Sequence, residues 1–387
     1  MKHIRISLIG AGMISAKHLA AYQEIPEAQV VAVCSRTQQS AARCAEEWNI
    51  PDFCTDVQAM LARDDIDAVD ICVHNNLHAP YAIAALRAGT HVYCEKPLAG
   101  SYADGLAMVE AARETGKTLH IQLGTLYETA TRAAKRLVDG GALGELYHAR
   151  TVGFRRRNRP FVDGYGSADF AQKQYAGGGA LYDFGVNHIA LLLYLMGLPT
   201  PTRMSGRLYQ KIAMDEQRRL ESRYDVEEPS VGFVRFDNGA TMDLFESWAA
   251  HLDSMDPSVL LGSKGGFKLD PFSFHTTLCD TELDCTGDLE SMESAGSTPS
   301  PEVRLHVVGK TLDRRAAGSG SPAAHRGTGP ADHAHSGEYR PLQQAGAGGH
   351  CRSGGRRFGF HCPKGVTKHL RFGQTTTARS GACVGRN

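Results

Sequence analysis

The sequence predicts an α/β protein in which a doubly wound parallel sheet precedes an α+β domain with an open, predominantly antiparallel sheet. Two observations lead to this fold class. Short apolar strands alternate with helices through about the first 124 residues, which is typical of a parallel sheet covered on both faces. Farther along, the alternating segment VGFVRFDNGATMDLFESW predicts a hairpin that turns at Asn238 and Gly239, because an Asn-Gly pair favours the tight turns between antiparallel strands.

Composition and charge exclude several classes of protein. The 387 residues carry a formal net charge of zero, so we expect neither nucleic acid nor a membrane as partner. The ten cysteines include no CxxC pair and no Cys/His metal spacing, so we expect free thiols and no metal site. No run approaches the roughly 20 apolar residues of a membrane span. We find no signal peptide, and we therefore expect a cytoplasmic protein.

The first strand, turn and helix, HIRISLIGAGMISAKHLAAY, have the pattern of a dinucleotide-binding turn. Gly10 lets the chain turn tightly, and Gly12 lets the backbone approach a pyrophosphate at the helix N-terminus. The third glycine position of the motif is Ser15, which is small enough to pack but weakens the match. Met13 and Ile14 open the helix and complete the predicted cofactor-binding turn.

Polar side chains follow the later strands of the same sheet. Because ligands of doubly wound sheets bind beyond the carboxyl ends of the strands, these side chains are candidates for the cofactor site. They are Ser35 and Arg36 after AQVVAVC, Asn75 and His78 after DAVDICV, and Glu95 and Lys96 after THVYC.

The end of the second strand bears on the choice between NAD and NADP. An acidic residue there would bind the ribose hydroxyls of NAD, but this chain has Ser35, Arg36 and Thr37. No carboxylate repels a 2′-phosphate, and Arg36 could pair with one. We therefore expect NADP in preference to NAD. The alternative is that Arg36 is a solvated surface residue and NAD binds.

Four motifs resemble the glucose–fructose oxidoreductase, inositol dehydrogenase and MocA (Gfo/Idh/MocA) family of NAD(P)-dependent oxidoreductases. They are GAGMIS after the first strand, NNLH after a later strand, EKP at 95–97 and GGGALYDFG at 177–185. The segments VEE (226–228), VRFDNGA (234–240) and LLGSKGGFKLDP (260–271) are similar to the family's second domain. The resemblance covers roughly residues 1 to 300. The EKP element together with the glycine–aspartate segment is its most specific part.

The resemblance implies hydride transfer between a secondary hydroxyl of a sugar or cyclitol and nicotinamide. It places Lys96 beside the reacting hydroxyl, with Pro97 in a cis peptide bond. A lysine next to a positively charged nicotinamide releases its proton more readily and could exchange one with the substrate oxygen. The alternative for Lys96 is a surface lysine beside a turn proline.

The resemblance also implies that Asn75, His78 and Gln122 lie at the cofactor. For Asn75 and His78, a structural function within the loop suits the sequence nearly as well. The family usually has proline immediately before this asparagine, whereas this chain has His74.

The helix that carries Asp183 departs from the family's pattern, in which a histidine follows the aspartate by four residues. That position is Asn187, and His188 is one residue farther along. In a regular α-helix, residues four apart share a face, whereas the fifth residue points elsewhere. We therefore expect Lys96, Asp183 and Asn187 to be the catalytic residues, with His188 packed in the helix. A bulge in the helix would instead bring His188 to the site.

The second domain offers weaker candidates. GFRRRNRPF (153–161) begins as a strand and becomes a basic loop, which could bind an acidic or phosphorylated sugar or simply be solvated. Tyr127 and Tyr165 could stack on a sugar ring. In proteins of this kind the free face of the open sheet commonly pairs with another subunit, so we expect a homo-oligomer, either a dimer or a tetramer.

The C-terminal part of the sequence lacks helical or strand periodicity. From Gly309 onward it has 13 Lys and Arg against 3 Asp and Glu, and 16 of its 79 residues are glycine. We expect a Rossmann domain over residues 1–124, a substrate and oligomerisation domain over 125–300, and an aberrant basic tail over 301–387. We hypothesise a shift of the reading frame near residue 300; the alternative is a native disordered tail. An alternative frame of the gene that encodes no apolar helix would contradict the shift.

Two other functions are compatible with the sequence. One is hydrolysis of a glycoside through transient oxidation with tightly held NAD in the same fold. The other is a catalytically impaired cofactor-binding paralogue or sensor, which the displaced histidine and the aberrant tail suggest. Release of free sugar without net cofactor turnover would indicate the first, and cofactor binding without turnover would indicate the second.

Overall fold

Two β-sheets organise residues 3–286, the part of the chain that the computed structural model describes. The predicted tail lies outside these residues. The order in the first sheet is β3-β2-β1-β4-β5-β6, and all neighbouring pairs are parallel, which confirms the predicted doubly wound sheet. Its strands are β1 (Ile4–Ile9), β2 (Ala28–Cys34), β3 (Asp52–Cys54), β4 (Ala68–Ile71), β5 (His91–Cys94) and β6 (Leu119–Ile121).

The strand order creates a switch point between β1 and β4. The chain moves outward from β1 through β2 to β3, and then continues at β4 on the other side of β1. Loops leave β1 and β4 in opposite directions at this point, which opens the crevice in which doubly wound sheets bind their ligands. The sequence did not predict β3, whose three residues are mostly exposed and form no apolar run.

Helices cover both faces of the parallel sheet. Leu8 belongs to an apolar cluster that includes residues of α1 and α2, whereas Ile9 belongs to a cluster that includes residues of α4 and α5. Because adjacent strand residues point to opposite faces, β1 is buried on both sides. The helices are α1 (Met13–Gln23), α2 (Gln38–Trp48), α3 (Val57–Leu61), α4 (His78–Arg87) and α5 (Tyr102–Thr115).

The second sheet has eight strands in the order β14-β13-β12-β11-β7-β10-β9-β8. Only the β7–β10 pair is parallel among the neighbours described, so the predicted, predominantly antiparallel open sheet is confirmed. The predicted hairpin joins β9 to β10 through Gly239, at φ +84°. The strands are β7 (Leu146–Phe154), β8 (Pro201–Leu208), β9 (Pro229–Phe236), β10 (Thr241–Ser247), β11 (Val259–Gly262), β12 (Gly265–Leu269), β13 (Phe272–Leu278) and β14 (Thr281–Cys285).

Helices α6 (Thr129–Asp139) and α8 (Val186–Leu195) pack on one face of the second sheet; α7 (Lys173–Ala176) and α9 (Glu216–Ser222) are shorter. The core between helices and sheet includes Leu192 of α8, Met242 of β10 and Phe267 of β12, all buried. Full burial of such a side chain contributes about 1.5–3 kcal/mol relative to its exposure. Within residues 3–286, no helix has the length and apolar character that a bilayer crossing needs.

The opposite face of the second sheet leaves apolar side chains in solvent. Val231 and Phe233 of β9 alternate with the buried Val234, and are 42% and 40% exposed. Phe245 of β10 is paired with Val231 and therefore lies on the same face. The two faces of the sheet thus differ, since helices cover one face and no helix of residues 3–286 covers the other.

Candidate active site

The turn between β1 and α1 has the geometry that a dinucleotide requires. Gly10 has φ +103°, and a Cβ atom there would lie 2.2 Å from the carbonyl oxygen of Cys72, so only glycine fits. At Gly12, a Cβ atom would meet nothing within 4 Å, so open space borders the N-terminus of α1. Ser15, at the third motif position, is buried and donates its hydroxyl to the carbonyl oxygen of Gly12 at 2.6 Å.

The N-terminus of α1 is suited to an anion. Gly12 is the N-cap residue and offers no side-chain cap, and the first turn contains no acidic residue. The free N–H groups and the positive end of the helix dipole therefore face the open space. These features fit the pyrophosphate of a dinucleotide. Ile14 packs on the adjacent core, whereas Met13 is 71% exposed beside this space.

At the end of β2, the two hydroxyls are occupied and the guanidinium is free. Ser35 Oγ lies 2.8 Å from Ser40 Oγ, and Thr37 Oγ1 caps α2 by accepting the Ser40 N–H. Arg36 is exposed, and within the described chain its side chain has no hydrogen bond or ion pair. Arg36 is the side chain at this position that remains available to a ligand.

The loop after β4 connects the two parts of the molecule. Asn75 is buried and donates Nδ2–H to the carbonyl oxygen of Ala176 at 2.6 Å, just before the second domain's glycine segment. His74, where the family usually has proline, lies 3.2 Å from Asp169. Burial lowers the pKa of His74, Asp169 opposes this, and the charge of Arg36 adds to the lowering. Arg36 is therefore close enough to this loop to influence it.

His78 stabilises the same loop from within. Its side chain is completely buried, with Nδ1 2.8 Å from the carbonyl oxygen of Pro97 and Nε2 3.2 Å from that of Val73. Burial lowers the pKa of His78, so the ring is neutral at neutral pH and carries one N–H. The shorter contact indicates that Nδ1 donates to Pro97. Of the two alternatives in the sequence, this geometry favours the structural function for His78.

Lys96 extends from the end of β5 towards the second domain. The Lys96–Pro97 peptide bond is cis, as the resemblance implied. Lys96 Nζ donates to both the carboxylate and the backbone carbonyl of Asp183, and Nζ–Oδ1 is 3.1 Å. Both side chains are partly exposed, at 24% and 29%. The two residues that the sequence singled out most specifically are thus in direct contact.

Gln122, after β6, is half-buried, and its Oε1 accepts the Gly124 N–H at 3.4 Å.

Three further side chains surround Asp183. Trp248, buried after β10, donates Nε1–H to Asp183 Oδ2 at 2.9 Å. Arg155 Nη1 lies 3.8 Å from the same oxygen and 3.0 Å from the Tyr165 hydroxyl. The guanidinium also lies over the Phe184 ring, at 4.9 Å from its centroid. Tyr165 and the first arginine of the basic segment thus reach the site, whereas no sequence motif singled out Trp248.

The glycine segment before Asp183 is held by a buried glutamate. Glu227 accepts the backbone N–H groups of Gly179 and Leu181, at 2.7 and 3.2 Å, and is 9% exposed. A Cβ atom at Gly179 would lie 1.9 Å from the carbonyl oxygen of Glu227. The family-like segments GGGALYDFG and VEE therefore form a single structural unit, in which the glutamate can approach only because the glycine has no side chain.

The helix through Asp183 is not a regular α-helix. Leu181–Gly185 form a π-helical segment directly before α8. A π-helix bonds each residue to the fifth one along, which brings His188 towards the face of Asp183. Its Nδ1 lies 2.9 Å from the carboxylate of Glu246, on β10 two residues before Trp248. Because Glu246 and Trp248 both contact this helix, Asp183 and His188 face the same strand.

Asn187 is partly exposed, and within residues 3–286 its side chain makes no hydrogen bond. His188, by contrast, has Nδ1 fixed by a carboxylate that is completely buried. Its side chain is 30% exposed, and no described residue bonds to its Nε2. The π-helical segment is thus a bulge of the kind that would bring His188 to the site.

A parallel sheet with this strand order, turn and uncapped helix defines the class of dinucleotide-binding α/β enzymes. Residues 4–123 match "Oxidoreductase family, NAD-binding Rossmann fold", and residues 131–268 match "GFO/IDH/MocA C-terminal domain". The chain belongs to the Gfo/Idh/MocA family of oxidoreductases.

Characterised relatives of the chain include sugar dehydrogenases. The D-glucoside 3-dehydrogenase of Escherichia coli (strain K12) is 30% identical over 307 residues, which cover 75% of this chain and 86% of that protein. The levoglucosan dehydrogenase of Pseudarthrobacter phenanthrenivorans is 26% identical over 277 residues, or 65% of this chain and 69% of that protein. A solved structure of levoglucosan dehydrogenase with NADH and L-sorbose has the same fold, with a TM-score of 0.65, 24% identity, and coverage of 74% and 80%.

Replacing His188 with alanine should lower the free energy of unfolding by about 1–3 kcal/mol, because the buried Glu246 carboxylate would lose its hydrogen-bond donor. Asn187→Ala, at the adjacent position, is the matched control and should change it by less than about 0.5 kcal/mol. Urea denaturation followed by circular dichroism measures both. Equal stabilities for the two variants would contradict the placement of His188 against β10.

Proposed function

We propose that the protein is an NAD(P)-dependent dehydrogenase that transfers a hydride between a secondary hydroxyl of a sugar or cyclitol and nicotinamide. The observation that carries this proposal is the contact between Lys96 and Asp183. It brings a proton-exchanging amine and a carboxylate together at the carboxyl end of the parallel sheet, where a dinucleotide lies in such folds. The names of the relatives, which act on glucosides and levoglucosan, support a sugar as the substrate.

The proposed mechanism assigns proton transfer to Lys96. In the oxidation direction, the Lys96 ammonium first releases a proton to solvent. The substrate O–H then gives its proton to the Lys96 amine while the C–H electron pair leaves the same carbon, and a carbonyl remains. Nicotinamide, when bound, accepts the hydride. Asp183, at 3.1 Å, stabilises the ammonium that forms on Lys96. In the reverse direction the ammonium returns its proton to the oxygen.

Asp183 is held for this function by its other contacts. Trp248 donates to Oδ2 and leaves Oδ1 to Lys96, so the carboxylate has one fixed orientation. Arg155 adds a positive charge 3.8 Å from the same oxygen. A carboxylate whose position is fixed before the substrate arrives does not need to reorganise during the reaction.

The geometry supports two ways to complete the site. Asn187 could orient the substrate hydroxyl through its amide, as the four-residue spacing suggested. His188 could act as a second proton acceptor, since Glu246 fixes its Nδ1 and leaves Nε2 available. A histidine held by a buried carboxylate is a common arrangement for a general base. We favour His188 for this second function, with Asn187 orienting substrate.

Lys96→Ala should reduce kcat/KM by roughly 10²–10⁴-fold on every sugar, inositol or sugar phosphate that the wild type oxidises. The rate of NADPH and NADH formation by the purified protein measures kcat/KM, and Lys264→Ala, at an exposed lysine, is the control.

His188→Gln keeps a hydrogen-bond donor for Glu246 but cannot accept a proton, so it should lower kcat more than Asn187→Ala does. Full activity of Lys96→Ala would contradict the mechanism. Release of free sugar without net turnover of the cofactor would indicate glycoside hydrolysis. Binding of the cofactor without turnover of any substrate would indicate a sensor.

We propose NADP as the preferred cofactor. Arg36 supports this, because its guanidinium is exposed at the end of β2 and free of partners in the described chain, and no carboxylate stands beside it. A 2′-phosphate is the group that such a guanidinium can pair with.

Arg36→Ala should raise KM for NADP by about tenfold or more, because NADP would lose a charge-assisted hydrogen bond. It should leave KM for NAD nearly unchanged. The difference between the cofactors should shrink at high salt, because added ions screen an exposed pair. Arg43→Ala, an exposed arginine on α2, is the control and should change neither constant. A wild type that prefers NAD, with Arg36→Ala unaltered, would contradict this proposal.

We also propose that the helix-free face of the second sheet joins two copies of the chain. The exposed Val231 and Phe233 of β9 and the neighbouring Phe245 of β10 form an apolar surface on this face. Isolated proteins seldom leave such a surface in solvent. Sedimentation velocity should find a dimer or tetramer, and Phe233→Lys should shift it towards the monomer. A wild-type monomer at micromolar concentration would contradict the proposal.

A further inference from the structure

A buried charged network lies directly behind Lys96. His18 of α1 is 1% exposed and its ring bridges two carboxylates: Nδ1 lies 2.8 Å from Asp70 Oδ2, and Nε2 lies 2.8 Å from Glu95 Oε1. Asp70 is 0% exposed and Glu95 is 6% exposed. Glu95 is the first residue of the EKP element, and its other oxygen accepts the backbone N–H of Lys96 at 3.0 Å.

The ring of His18 is held in a single orientation. The Asp70 oxygen that contacts His18 also accepts the Tyr22 hydroxyl at 2.9 Å, so two groups hold this carboxylate. The Tyr93 ring packs against His18, with centroids 5.4 Å apart. Burial alone lowers the pKa of His18, but the charges and hydrogen bonds of Asp70 and Glu95 outweigh it and raise the pKa to about 10. The ring is therefore an imidazolium at neutral pH, and both nitrogens donate.

The network is a hydrogen-bond chain in this geometry. Cys72 Sγ lies 3.4 Å from His18 Nδ1, so His18, Asp70 and Cys72 are also close enough to be considered as metal ligands. The 2.8 Å contacts are, however, ordinary lengths for charge-assisted hydrogen bonds. Burial raises the pKa of the Cys72 thiol, as do the charges of Asp70 and Glu95.

We propose that His18 is a positioning residue for Lys96: its ring, anchored by Asp70, fixes the Glu95 carboxylate, which binds the Lys96 backbone N–H and so directs the Lys96 side chain to Asp183. The inference rests on the proposed function of Lys96. Removing the His18 charge leaves Glu95 buried without its partner, so the carboxylate must either take up a proton or turn towards solvent. In both cases its hold on Lys96 weakens, and the ammonium loses its defined distance to Asp183 and to the substrate oxygen.

His18→Gln tests this inference by kinetics in two backgrounds. In the otherwise wild-type enzyme we expect kcat to fall by about tenfold or more, a loss of about 1.4 kcal/mol, with the dissociation constant of the cofactor within about twofold. In the Lys96→Ala background, the same change should have no further effect on the residual rate of hydride transfer, measured in single turnovers. Residues that act as one unit are not additive, whereas a general loss of structure reduces both backgrounds equally.

Two further variants guard against loss of the fold. Glu95→Gln preserves the shape of the side chain and an acceptor for the Lys96 N–H, but removes the charge that His18 fixes. It should repeat the pattern of His18→Gln. Thr90→Val removes a buried hydrogen bond outside the network and should lower stability while leaving kcat within about twofold.

Additive losses in both backgrounds, or an unchanged kcat in His18→Gln, would overturn the inference. Stoichiometric metal bound by the wild type and lost in His18→Gln would also overturn it. A Lys96→Ala variant that is itself fully active would instead contradict the proposed function, so the two failures are distinguishable.

Discussion

The ion pair between Lys96 and Asp183 is the contact on which the arrangement of the site depends. Lys96 follows a strand of the parallel sheet, and Asp183 precedes a helix that packs on the second sheet. Their contact therefore joins the two domains at the crevice and sets the distance between these two side chains. Because both are largely shielded from solvent, their attraction is stronger than that of an exposed pair.

Each partner is supported by buried polar groups. On one side, Glu227 holds the backbone at the start of the Asp183 segment, and Trp248 orients the carboxylate. On the other side, Glu95 holds the backbone of Lys96 and is itself bound to His18. Buried polar groups without partners cost about 1–3 kcal/mol each, so these bonds favour a single arrangement. Rigid support of this kind is what a site needs to keep reacting groups at a defined separation.

The sequence predicted the elements that depend on local pattern. The glycine turn, the parallel strands that are apolar throughout and the Asn-Gly hairpin follow from short motifs, and the structure has each of them. The cis Lys96–Pro97 bond, which the family resemblance implied, is also present. The EKP and glycine–aspartate motifs also predicted that Lys96 and Asp183 belong to one site, and in the structure the two side chains are in contact. The short strand β3 was missed because its few residues are exposed and carry no periodic signal.

The remaining parts of the site depend on tertiary contacts that a linear pattern does not encode. The π-helical segment at Leu181–Gly185 shifts the register by one residue, and no composition cue distinguishes it from a regular helix. Glu246 lies in β10 and Trp248 directly follows it, and their sequence pattern is that of an ordinary polar and an ordinary core residue. His18 lies in a helix, 52 residues from Asp70 and 77 from Glu95, so only the fold brings these charges together.

The most direct test of this account is a crystal structure of the protein with NADPH and a sugar that it oxidises. We predict that the oxygen on the reacting carbon lies within hydrogen-bond distance of Lys96 Nζ, with the Asp183 carboxylate still bound by Trp248. The same map would show whether Nε2 of His188 or the amide of Asn187 approaches the substrate. A sugar bound productively, with its reacting oxygen remote from Lys96, would contradict the central claim that the Lys96–Asp183 pair performs the proton transfer.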